Sequence, residues 1–86
     1  MYQSDEMLAV KKLLDRLVKP NHPNIIRFDV RNYDSDKLGV IPNVYVYLKE
    51  RDDDDENNID WEIKDVLRYL SIKNHVIRFI LDDIDT

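Results

Sequence analysis

Apolar residues recur along this chain with two different periods. Met7, Val10, Leu14 and Leu17 fall at helical spacing, and Leu13 and Val18 widen the stripe. Ser4 offers a cap ahead of the first-turn acids Asp5 and Glu6, and Pro20 blocks continuation past Lys19. The spacing therefore predicts a helix over residues 5–18. PNHPN, at 20–24, reads as a turn, because two prolines forbid regular pairing.

A period of two then takes over. Ile26, Phe28 and Val30 alternate with Arg27, Asp29 and Arg31, which predicts a half-buried strand in IIRFDVRNY. VYVYLKE repeats the pattern, with Val44, Val46 and Leu48 on one face and Tyr45, Tyr47 and Lys49 on the other. Between them DSDKLGVIPN, residues 34–43, reads as a long connection whose turns are marked by Gly39 and Pro42. Helical spacing returns at Ile59, Ile63, Val66, Leu67 and Leu70, with Asn58 or Asp60 as cap and Asn74 as a left-handed exit. HVIRFILDD closes the series as a third strand, with Ile77, Phe79 and Leu81 on one face and Val76, Arg78 and Ile80 on the other.

The order α-β-β-α-β in 86 residues predicts one small domain over residues 1–86. Its class is α+β: a two-layer sandwich of a three-stranded sheet with two helices on one face. The second helix leaves room for a crossover from strand 2 to a parallel strand 3. Sheet order 2-1-3, a split βαβ unit, is favoured, with 1-2-3 as the alternative. Only two helices are available, so the second sheet face stays uncovered. By parity it carries Ile25, Arg27, Asp29 and Arg31, then Tyr45, Tyr47 and Lys49, then Val76, Arg78 and Ile80. Tyr and Arg are enriched at binding hot spots, so Arg27, Arg31, Tyr45, Tyr47 and Arg78 are the candidate partner-binding residues. Strand propensity and cross-strand pairing explain the same residues without a partner.

Composition sharpens the list of exclusions. Apolar residues make up 43% of the chain and charged residues 36%, a share of apolar side chains too large for a disordered segment. The chain contains no cysteine, so disulfides, thiolate metal sites and cysteine nucleophiles are out. A single glycine rules out a glycine-rich phosphate loop. Ser4, Ser35 and Ser71 do not sit in a nucleophile elbow, and His22 and His75 stand far apart without a metal-ligand pattern. These absences predict a protein that is not an enzyme and needs no cofactor or metal. MYQSDEMLAVKK lacks the basic start and apolar block of a secretory signal, and the apolar runs fall far short of a membrane span. The expectation is a cytoplasmic or virion protein with no membrane contact. One glycine and one alanine against many Ile, Asn, Lys and Tyr point to an AT-rich gene, for which a phage or virus is one home.

The formal net charge of −5 argues against a nucleic-acid partner, although single-stranded RNA can stack on tyrosines flanked by arginines. The negative charge is concentrated in ERDDDDENN at 50–58. A calcium loop of the helix–loop–helix type needs glycine sixth and glutamate twelfth. Counting from Asp52 gives Asn57 and Ile63, and from Asp53 gives Asn58 and Lys64, so neither register fits. The run Asp52, Asp53, Asp54, Asp55 and Glu56 reads as a solvated acidic loop that leads into the second helix. Its functional reading is a nucleic-acid mimic that occupies a basic groove. Lys11, Lys12, Arg16 and Lys19 give helix 1 a basic outer side, which could meet that run in another copy. Taken together, the residues point to a structural or protein-interaction module in a larger assembly, with partners that are proteins or copies of itself. An acidic inhibitor is the alternative.

Overall fold

The computed structural model describes residues 5–82. Helix α1 runs Asp5–Leu17, strand β1 Ile25–Ser35, β2 Gly39–Leu48, helix α2 Asp53–Tyr69 and β3 Val76–Leu81, with a short 3₁₀ turn at Lys19–Asn21. The expected α+β sandwich is present. Ser4, the expected cap of α1, and Asp83 and Asp85 of the closing acidic cluster lie outside the described residues.

One apolar layer joins the elements. Met7, Val10 and Leu14 of α1 and Ile59, Ile63, Val66 and Leu67 of α2 pack with Phe28, Val30, Val44, Val46 and Leu48 of the sheet. Both helices thus cover the same sheet face.

The strand order corrects the favoured expectation. It is β1-β2-β3, with β1 and β2 antiparallel and β2 and β3 parallel, so β2 and not β1 is central. The physical reason lies in the two sequences. IIRFDVRNYDS carries a charge at nearly every second position and suits an edge. VYVYL is uncharged, and four of its five residues are β-branched or aromatic, which suits a strand flanked on both sides.

The long connection is also corrected. Pairing continues through Tyr33–Ile41 and Asp34–Val40 to Ser35–Gly39, leaving three residues in the turn. Gly39 takes φ +76°, the left-handed conformation that a three-residue hairpin needs at that position. Pro42 therefore sits inside β2 rather than in a loop. It costs no ladder bond, because the even residues of β2 turn their amides toward β3, and β3 begins only opposite Asn43.

Two local departures follow from backbone geometry. A register shift between Ile25 and Arg27 turns Ile25 into the core, so it leaves the open face where parity had put it. At the end of α2 the left-handed residue is Ser71, φ 62°, and not Asn74. There Ile72 N–H donates to Leu67 O and Ser71 N–H to Arg68 O, both at 2.9 Å, closing a Schellman motif. Ile72 then packs against the core, the apolar contact this motif favours.

Candidate functional site

The acidic run is a helix start, not a loop. Asp52 caps α2: its Oδ1 accepts the Asp55 N–H at 3.1 Å. Glu56 reaches back so that its Oε2 accepts the Asp52 N–H at 3.2 Å, a capping box displaced by one residue. Asp53, Asp54, Asp55 and Glu56 fill the first turn, where the free N–H groups and the helix dipole favour negative charge. This is why α2 begins at Asp53 rather than near Asn58 or Asp60. Glu56 is buried and takes two hydrogen bonds from Arg51, Nε at 2.7 Å and Nη2 at 3.0 Å. The Arg51 hydrogen bonds hold the Glu56 carboxyl below the ordinary carboxylate range, against the opposing effect of burial.

Tertiary structure brings His22 against Asp55 of this run and one further acid of α2, Glu62. His22 is buried, with Nε2 2.7 Å from Glu62 Oε2 and Nδ1 3.4 Å from Asp55 Oδ1. Asn24 donates from Nδ2 to Glu50 O at 2.8 Å and to Asp55 at 3.1 Å, while its Oδ1 accepts the Glu50 N–H at 2.9 Å. The PNHPN turn is thereby fastened to the start of α2. Nε2 holds the hydrogen bond to Glu62, while Nδ1 stands at ion-pair distance from Asp55. Spacing along the chain carries no signal for this cluster, since His22 and Glu62 lie far apart in sequence. Among the described residues no group of three or more His, Cys, Asp or Glu could hold a metal ion.

The open sheet face is a three-by-three grid set by the two registers. Its rows run Arg31–Asn43–Val76, Asp29–Tyr45–Arg78 and Arg27–Tyr47–Ile80. All five candidate binding residues, Arg27, Arg31, Tyr45, Tyr47 and Arg78, are brought together here, on the side away from the helices. The Arg27 guanidinium lies 4.0 Å from the Tyr47 ring centroid and that of Arg31 5.5 Å from Tyr45. Arg27 also pairs with Asp82 at 2.8 Å and Arg31 with Asp29 at 2.9 Å. The Asp29 hydrogen bond and charge raise the Arg31 pKa above its usual value. Arg78 has no acidic partner among the described residues. Asn43 is buried at the grid's margin and donates to Tyr45 Oη at 3.0 Å, while its Oδ1 has no partner among the described residues. Arginines thus cover part of each tyrosine ring and leave both rings half-buried.

Other surfaces are less constructed. A cavity of about 470 Å³ at the end of α2 is lined by Lys64, Arg68, Ser71, Ile72, Lys73 and His75. Asp60 pairs with Lys64 and Asp65 with Arg68, so of the lining lysines and arginines only Lys73 lacks an ion pair among the described residues. Burial lowers the His75 pKa, as does the Lys64 charge. An apolar groove of about 340 Å³ lies between the helices beside Leu17, Val66 and Tyr69. No helix among the described residues is long and apolar enough to cross a membrane. Compared with protein-family models, curated proteins and solved structures, the chain matches none.

Proposed function

We propose that this chain is a non-enzymatic interaction module that docks a protein partner on the open face of its sheet, as one component of a larger assembly. The observation that carries the reading is the grid itself. Tyr45 and Tyr47 stand in the central strand, flanked by Arg27, Arg31 and Arg78, and among the described residues no second layer lies over them. Tyrosine and arginine supply large contact area together with hydrogen bonding, and the side-chain pairs already hold them in place, which lowers the ordering cost of binding. The AT-rich composition suggests a phage or virus particle as the setting, with the cytoplasm or the virion as location.

The test is site-specific photo-crosslinking in the producing cell. A photo-reactive side chain at Tyr45 should form a discrete adduct, while the same group at Tyr69, on the helix side, should not. The Y45S/Y47S double variant, probed from position 27, should lose the adduct, and raising the salt should change it little. Equal labelling from positions 45 and 69 would refute docking through the sheet.

A second reading uses Asp53 and Asp54, exposed acids with no side-chain hydrogen bond or close ion pair among the described residues: an acidic inhibitor that occupies a basic groove. It separates by salt. Such a partner would be lost on changing Asp53 and Asp54 to asparagine, and its affinity would fall steeply with ionic strength.

A further inference from the structure

The sheet has two edges, and they are guarded differently. The edge strand β1 carries Arg27, Asp29, Arg31 and Asp34, the charged pattern by which edges resist pairing. At the other edge β3 reads VIRFIL, with Arg78 its only charge. Among the described residues nothing pairs with its outer side. On its helix-facing side Ile77 and Phe79 are only partly buried against the core, and Leu81 is 51% exposed. The edge presents free backbone donors and acceptors beside an unfinished apolar margin.

We infer that β3 pairs antiparallel with β3 of a second copy of this chain, giving a two-fold dimer with a continuous six-stranded sheet. Charge complementarity selects the copy and the register. The Asp82 N–H donates to Leu48 O at 2.9 Å, so the amides of residues 78, 80 and 82 turn toward β2. Those of Ile77, Phe79 and Leu81 therefore turn outward. With the two-fold axis at Ile80, Phe79 of one copy exchanges backbone hydrogen bonds with Leu81 of the other. Ile80 meets Ile80, and Arg78 lies opposite Asp82, in the closely spaced non-hydrogen-bonded pairs where side chains interact best. The edge thus reads positive, apolar, negative, and is complementary to itself when reversed. Arg78, without an acidic partner among the described residues, gains a carboxylate already oriented by Arg27. An axis at Arg78 would set like charges face to face, and one at Phe79 would leave both charges unmatched. On the helix side Phe79 and Leu81 of the two copies cover each other, which closes the apolar margin. The interface is isologous, as two-fold dimers require; it draws Arg78 and Ile80 of the grid into the seam and leaves Tyr45 and Tyr47 of the central strand uncovered on both copies.

Sedimentation equilibrium at micromolar to millimolar concentration should give twice the monomer mass. R78D and D82R should each run as monomers with unchanged far-UV circular dichroism, because each sets two pairs of like charges across the axis. An equal mixture of the two should regain the dimer mass. One contact is then native and the other is native with its signs exchanged, so recovery shows that the single variants fail by charge and not by misfolding. In this cysteine-free chain, I80C should give a disulfide-linked dimer on oxidation, while V76C, on the same face of the same strand, should not. A monomeric wild type overturns the inference, as do dimers that survive R78D, a mixture that stays monomeric, or equal cross-linking at 76 and 80.

Discussion

Replacing Asp52 by alanine tests whether the acidic run is a device for starting a helix. In the structure Oδ1 of Asp52 satisfies the Asp55 N–H at 3.1 Å, one of the four amides that every helix start leaves without an internal partner. Alanine removes that acceptor, while Glu56 keeps its hold on the Asp52 backbone. Loss of one cap of this kind costs about 1 kcal/mol. The loss bears on the whole fold, because α2 supplies Ile59, Ile63, Val66 and Leu67 to the only core cluster described. For a domain this small it lowers the melting temperature by roughly 4–8 °C. D52N retains an acceptor at the same place and should melt within about a third of that interval of wild type, since asparagine caps as well as aspartate. D54N removes charge without removing a cap, and costs on the order of 0.3–1 kcal/mol through the helix dipole, less as salt rises. The assay is thermal denaturation followed by far-UV circular dichroism in low and high salt. The cap explanation fails if D52N is as destabilised as D52A, or if high salt erases the D52A effect. Either outcome would mean that charge alone, and not the directed hydrogen bond, sets the start of α2.

Further expectations concern other parts of the fold. Serine at position 71 bears the strain of the left-handed conformation at φ 62°, so S71G should raise stability by about 0.5–1 kcal/mol, read as a higher urea midpoint with an unchanged slope. Val46 is fully buried in the central strand, and V46A should cost about 2–3 kcal/mol in urea titrations, whereas L8A on the outer side of α1 should stay within about 0.5 kcal/mol. Glu56 has a depressed pKa in the folded state, so its contribution is complete above the ordinary carboxylate range and is lost as pH falls through the lower folded value. The gap in urea midpoint between wild type and E56Q should therefore be widest near neutral pH and close on acidification; a gap that persists below that range would refute the assignment.

Much of this protein was legible residue by residue. The helical stripe of α1, the alternation in β1 and β2, and the apolar face of α2 each follow from side-chain periodicity, which depends only on near neighbours in sequence. The same periodicity put Tyr45, Tyr47, Arg27, Arg31 and Arg78 on one face. It misjudged Ile25, because a bulge changes parity without leaving a mark in composition. It also began α2 too late, because four successive aspartates read as repulsion until a cap and a dipole are set beneath them.

What the chain alone determined, then, was the kind and order of its elements and which side of each is apolar. Only the tertiary structure decided which strand is central, that His22 lies between Asp55 and Glu62, and that β3 is left as an edge. These depend on pairings between residues far apart in sequence, where several arrangements satisfy the same local pattern. The choice among them rests on how well a whole strand or turn is enclosed: uncharged β2 loses least by being flanked on both sides, and charged β1 loses least at the rim.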